Sequence, residues 1–203
     1  MLLVSTLVMV SKDGVACMAA ELLTSYGNRK QPGRYIASPE KIFQVGDSFV
    51  GVVGWCVHMD VLKSVFDSKL ALPEFKDERE LFEFFRKLHP LLKEEYFLNP
   101  KEDDGDPYES SHMTVFFMNR YGLFGSYSMR SIERYTRFAA VGSGSRYALG
   151  AMYAAYDTAA TAVEIAQIGV NAGIEFDNAS EGPITLRQLR LAAPARCDFA
   201  AAA

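Results

Sequence analysis

A serine, a glutamate and a lysine at the ends of three short alternating segments are the residues best placed to do chemistry in this chain. Ser5 opens Ser5-Thr6-Leu7-Val8-Met9-Val10, which reads as a half-buried strand; a Lys12-Asp13-Gly14 turn hands it to a second run ending at Glu21, and Lys41 opens the next strand. A hydroxyl at the mouth of an N-terminal strand, with a carboxylate and a lysine delivered by neighbouring strands, suits a nucleophile that uses its own α-amine as base. An alkyl hydroxyl is a poor nucleophile at neutral pH, and an α-amine with a pKa of about 8 can take its proton directly or through one water. Ser5 would supply both groups, Lys41 would favour the developing alkoxide, and Glu21 would hold the ammonium in place. Taken singly, Ser5 is an ordinary strand residue and Lys41 with Glu21 an ordinary surface ion pair; only their joint spacing raises them. Met1-Leu2-Leu3-Val4 precedes Ser5 in the sequence. The amine is therefore acylated in the chain as written, and residues 1–4 are a candidate propeptide whose removal the chemistry requires.

The elements that must position these groups follow from periodicity. Period-two alternation predicts strands near 4–10, 15–21, 41–45 and 49–54, in antiparallel pairs. Helical spacing then predicts one helix over Trp55–Lys69 and a second over Glu78–Phe97 with the apolar stripe Leu81, Phe85, Leu88, Leu92 and a kink at Pro90. Two further strands, Met113–Asn119 and Leu123–Met129, and a third at Tyr135–Val141 imply a second sheet. Gly142-Ser143-Gly144-Ser145 leads into helices at about 146–157 and 160–173, apolar enough to be covered on several sides, and the last strands cover 183–191. Strands, two helices, strands, two helices and strands predict an α+β fold: two antiparallel sheets face to face with a helix pair outside each, a four-layer αββα sandwich. The 203 residues read as one domain, 1–203, with the Ala-rich end 192–203 expected to fray.

Composition narrows the function classes. A net charge of −4 gives no electrostatic case for nucleic acid. No apolar stretch is long enough to span a bilayer, and Met1–Val4 lacks a basic region before an apolar one, so neither a membrane protein nor a secretory signal is expected. Three cysteines, Cys17, Cys56 and Cys197, without C-x-x-C spacing argue against a disulfide framework or a zinc knuckle and for a reducing, cytoplasmic setting. The acidic run Glu102-Asp103-Asp104-Gly105-Asp106 lacks the alternation and distal Glu of a calcium loop, and His58, His89 and His112 show no paired spacing, so no metal is expected. The Gly142-Ser143-Gly144-Ser145 turn fails as a dinucleotide fingerprint because Tyr147 stands where the third glycine belongs, and there is no Walker lysine.

Several of these pieces resemble one family in their order and separations. Ser5-Thr6-Leu7-Val8 is similar to the T-T-[IV]-V start of mature proteasome β-type subunits, and the chain resembles most the bacterial HslV-like peptidases and their betaproteobacterial proteasome homologues. The 16 residues from Ser5 to Glu21 match that family's spacing from nucleophile to acid. Ala19-Ala20-Glu21 resembles its GGD or AAD motif, Lys41-Ile42-Phe43 its lysine-bearing strand, and Val52-Val53-Gly54 its oxyanion turn. Gly142 to Leu149 resembles its GSG-x-YAL segment, and Asp177-Asn178-Ala179-Ser180 its D-x-x-S.

The resemblance implies an N-terminal-nucleophile hydrolase fold and a threonine/serine-type peptidase, with Ser5, Glu21, Lys41, the Gly54 N–H as oxyanion donor, and Ser143, Asp177 and Ser180 around the α-amine and its water. It implies substrate pairing along the Ser25 backbone, with Thr24, Val52 and Cys56 near the specificity pocket. The expected partners are a peptide or unfolded protein, sister subunits in a homo-oligomeric double ring, and a ring-shaped AAA+ unfoldase. No cofactor is expected. This chain departs from the pattern in having serine for threonine, glutamate for aspartate, and the stiff Val4 where a glycine usually precedes the nucleophile. Those departures keep a second reading open, a catalytically silent ring subunit whose Ser5 amine stays blocked by Met1–Val4.

Overall fold

The computed structural model describes residues 5–192 except 27, 69, 102 and 159. The candidate propeptide 1–4, the tail from residue 193 and Cys197 lie outside the described residues. Two antiparallel sheets form the centre. The first has the order β10-β1-β2-β11, from Phe138–Val141, Leu7–Lys12, Val15–Glu21 and Ile184–Arg190; the second runs β5-β6-β7-β8-β9, from Ile42–Val45, Ser48–Val53, Thr114–Asn119, Gly122–Ser126 and Ile132–Tyr135. Leu7, Met9, Met18 and Ala20 from the first sheet meet Ile42, Val53, Phe116 and Met118 from the second in the seam between them.

Helices close the outer faces. α1 (Cys56–Ser68) and α2 (Glu78–Glu95) cover the second sheet, where Leu62, Val65, Phe84, Phe85 and Leu88 pack on Val50, Val52, Val115 and Phe117. α3 (Ser145–Tyr156) and α4 (Ala162–Phe176) cover the first, with Ala148, Met152, Ile165 and Val170 against Val8, Val10, Cys17 and Ala19. The architecture is the four-layer αββα sandwich. β1 is buried on both faces, not half-buried as its alternation suggests, because the helix pair covers the side opposite the seam. α4 starts with a capping box in which the Thr161 side chain accepts from the Glu164 N–H and Glu164 accepts from the Thr161 N–H, a motif of the kind that stabilises a helix start by about 1 kcal/mol. α2 runs through Pro90 to Glu95, two residues short of the expected end.

Two sequence expectations are corrected. The single strand expected over Tyr135–Val141 is two strands in different sheets: β9 ends at Tyr135 on β8, and β10 begins at Phe138 on β1. The crossing falls at Thr136-Arg137, and neither residue is a glycine or proline that would mark a break in the sequence. Between the strands expected at 15–21 and 41–45, where the sequence predicted no element, the chain forms a hairpin of β3 (Thr24–Tyr26) and β4 (Arg29–Gln31) followed by a 3-10 turn at Gly33–Tyr35.

Strand register gathers the candidate residues at one end of the sandwich. The β1–β2 ladder pairs Leu7 with Ala20, and one step further the Glu21 N–H donates to Thr6 O at 3.2 Å. β10 pairs Val141 with Leu7, so the Gly142–Ser143 turn falls beside Ser5 and Thr6. β11 pairs Ile184 with Glu21, which brings the preceding Asp177–Ser180 turn to the same place. In the second sheet, the Val52 N–H donates to Lys41 O at 3.1 Å.

Candidate active site

Ser5 lies in phase with Leu7 and Met9, whose side chains face the second sheet, and its hydroxyl meets the lysine that sheet delivers. Lys41 Nζ is 2.7 Å from Ser5 Oγ and donates to Glu21 Oε1 as well. Glu21 is wholly buried. Its carboxylate is nonetheless well supplied with donors: Oε1 accepts from the Thr6 N–H at 3.3 Å, and Oε2 from the N–H groups of Leu23 at 2.6 Å and Glu181 at 3.3 Å. A buried carboxylate needs this kind of compensation. Burial pulls the Lys41 pKa below the ordinary lysine value, with the charge and hydrogen bond of Glu21 acting the other way without restoring it. The longer acid at position 21 is thus accommodated by three main-chain donors that hold it against the lysine.

A second cluster forms behind Ser5. Asp177 Oδ2 accepts from Ser143 Oγ at 2.7 Å and from Ser180 Oγ at 2.6 Å. With the Ser180 proton committed to Asp177, the Thr6 hydroxyl donates to Ser180 Oγ at 2.7 Å. Ser143 Oγ also lies 3.5 Å from Ser5 O, and the Gly144 N–H donates to that carbonyl at 3.2 Å. Glycines make this closeness possible. Gly142 has a φ of +97° and a Cβ there would overlap Ser5 O; Cβ atoms at Gly144 and Gly173 would overlap the Thr6 hydroxyl. Ser5 itself has a φ of +104°, a region that residues with a Cβ rarely occupy.

Of the residues expected from the sequence, Ser5, Glu21 and Lys41 form one hydrogen-bonded group, and Ser143, Asp177 and Ser180 a second, joined to it through Thr6 and the Ser5 carbonyl. Gly54 follows the last residue of β6 with a φ of +120°. Thr24 and Ser25 are on β3, while Val52 is buried in the core beneath α1 and α2. Cys56, at the start of α1, is exposed and adds a small electrostatic influence on Lys41. Sequence reasoning missed Thr6, which links the two groups, and Glu181, whose N–H reaches Glu21; the only local signals were a second hydroxyl after Ser5 and an acid after the D-x-x-S turn. Among the described residues, no helix is long and apolar enough to cross a membrane.

Fold and site together define a proteasome-type N-terminal-nucleophile hydrolase architecture. No protein-family model matches the sequence, and no curated protein does. Solved structures do. The chain is similar to Thiobacillus denitrificans BPH, a bacterial proteasome homologue, at 39% identity and a TM-score of 0.86 over 92% of this chain and 98% of that one. The complex of Thiobacillus denitrificans BPH with epoxomicin matches at 37% identity and the same TM-score, over 93% and 100% of the two chains. Eukaryotic HslV from Trypanosoma brucei shares the fold at 15% identity and a TM-score of 0.68, over 91% and 99%. The chain belongs to the bacterial proteasome homologue family, within the proteasome β-type, HslV-like group.

Proposed function

We propose that the chain is a subunit of a self-compartmentalising peptidase in which Ser5, once its amine is free, cuts peptide bonds by acyl transfer. The observation that carries this reading is the 2.7 Å approach of Lys41 Nζ to Ser5 Oγ, with buried Glu21 behind the lysine. The α-amine takes the hydroxyl proton as Oγ attacks the substrate carbonyl, and the Lys41 ammonium stabilises the oxygen as its charge develops. The Gly54 N–H is the proposed donor to the tetrahedral oxyanion. Collapse breaks the C–N bond, the α-ammonium returns its proton to the leaving amine, and water then hydrolyses the Ser5 ester. Ser143, Asp177 and Ser180 orient the amine and its water.

Substrates on this reading are extended peptides or unfolded proteins that pair along Ser25, with Thr24 and Val52 near the pocket, and an AAA+ unfoldase is the partner class that would supply them. Assembly into a homo-oligomeric double ring in the cytoplasm belongs to the same proposal. It is supported by apolar side chains left open on the outer helices: Tyr147, Leu149, Tyr153, Ile168 and Phe176 are exposed in the single chain, where the sequence predicted cover on several sides.

Intact-mass spectrometry of protein from its native source, before and after treatment with epoxomicin, tests the proposal. The expected masses are a chain beginning at Ser5 and a one-to-one adduct on it. A peptide epoxyketone presents two electrophilic carbons, so full capture needs the hydroxyl and the free amine of one residue. A chain that keeps residues 1–4 and takes no adduct would establish the silent subunit instead.

A further inference from the structure

We infer that the β3–β4 hairpin and the turn behind it form a cationic rail that selects extended peptides carrying acidic side chains; this rests on the peptidase reading and names its substrate class. From Leu22 to Pro39 the sequence contains no Asp or Glu but carries Arg29, Lys30 and Arg34, in a chain whose net charge is −4. All three are exposed.

The rail is built onto the site at several points. Leu23, which leads into β3, donates its N–H to Glu21 Oε2 at 2.6 Å. The turn at Gly33–Tyr35 lies against the end of β2, so close that a Cβ on Gly33 would stand 2.7 Å from Leu22 O. Glu181, whose N–H donates to Glu21, is approached by Lys30 at 3.3 Å and Arg34 at 3.5 Å. One carboxylate faces two cations and Arg29 adds a third on the same hairpin, which leaves positive charge in excess on the hairpin and turn. Both Glu181 contacts are long and between exposed groups, so they exchange readily for a substrate carboxylate.

Aromatic rings complete the surface. Arg29 stacks over Tyr26 at 5.2 Å and Arg34 over Tyr35 at 4.8 Å, and both rings are open to solvent. Among the described residues β3 pairs with β4 alone, in a two-stranded sheet, which leaves its other edge available for an added strand. Side chains of an extended peptide alternate in direction, so acids at every second position face the rail together. The complementary occupant is an acidic extended peptide.

The experiment measures fluorescence anisotropy of fluorescein-labelled peptides that share one apolar pattern and carry Glu, Gln or Lys at alternate positions, titrated with the full-length Ser5→Ala chain. The Glu peptide is expected to bind roughly tenfold tighter than the Lys peptide at low salt, with the gap closing as salt rises. Lys30→Glu with Arg34→Glu is expected to invert the order. Arg29→Gln, which removes a cation that does not touch Glu181, is expected to narrow the gap without that risk to folding. Equal binding of all three peptides overturns the inference and leaves the peptidase reading standing. Failure of every peptide to bind, with epoxomicin adding no mass to the unmutated chain, overturns both.

Discussion

Two glutamate–lysine pairs in this fold differ mainly in address. Glu21 and Lys41 meet where the two sheets end, with the glutamate sealed from solvent and the lysine 15% exposed. Glu109 and Lys93 meet on the surface at 2.7 Å, 48% and 39% exposed. Each carboxylate has further partners. Glu21 is held by three main-chain N–H groups, whereas Glu109 accepts from His89 Nε2 at 3.0 Å. The His89 tautomer follows from Arg130, a donor only, which lies 3.2 Å from Nδ1 and so leaves the proton on Nε2. The pKa shifts follow the addresses. Burial lowers Lys41 in spite of its carboxylate neighbour, while hydrogen bonds from Lys93 and then His89 lower Glu109. The same ion pair is thus a desolvated arrangement held against the Ser5 hydroxyl in one place and a solvated strut in the other.

The largest expected effect comes from removing the buried cation. Lys41→Met should lower kcat/KM by about a thousandfold or more, because it deletes the charge beside the developing alkoxide. It should also lower stability by about 3 kcal/mol, since Glu21 is left as a buried charge without its cation. Pairing it with Glu21→Gln should restore most of the stability and none of the activity, which peptide turnover and denaturant melts on the same samples can check. A double variant as unstable as the single would show that Glu21 is held by its N–H donors and not by the lysine. In the unmutated protein the high-pH limb of the rate profile should fall below pH 10.5, the direction in which burial moves Lys41.

Thr6 comes next. Its hydroxyl is fully buried, donates to Ser180 and lies under Gly144 and Gly173, so it ties the Ser5 group to the Asp177 group. Thr6→Val keeps the shape and removes the donor. The expected loss is about 1 kcal/mol of stability and roughly tenfold in kcat, with KM little changed, because the residue positions Ser5 without touching substrate. Thermal melts and steady-state kinetics read the two parts separately. A change confined to stability would mean that the Asp177 group does not govern the geometry at Ser5.

What the sequence disclosed divides along the same line between local and distant contacts. Ser5 and Glu21 stand at the ends of consecutive strands, and alternation plus a tight turn is enough to place them at one end of a sheet; Lys41 opens a strand of the other sheet, so its approach to them depends on how the two sheets stack. The layer order was legible because period two and period 3.6 alternate cleanly along the chain. Thr6 and Glu181 were not legible, since their importance comes from partners 174 and 160 residues away. The β3–β4 hairpin was hidden for a different reason: its Asn, Gly, Pro and basic residues carry no apolar period, and what orders it is contact with the end of β2 and with Glu181. The division of Tyr135–Val141 between two sheets depends on which neighbour each half finds, a property of tertiary pairing.

The smallest expected effect is on the surface. Lys93→Ala leaves Glu109 with the His89 Nε2–H and with water, which can replace an exposed ammonium at little cost. The melting temperature should move by less than ~2 °C, and the difference from the unmutated protein should vanish at high salt, where exposed charges are screened. Peptide turnover should be unchanged, because the cluster joins α2 to the segment before β7 and makes none of the contacts described around Ser5. Paired thermal melts at low and high salt make the measurement. A destabilisation near that of Lys41→Met would mean that solvent exposure is not what separates the two pairs, and the assignment of a special role to the buried one would then rest on its contact with the Ser5 hydroxyl alone.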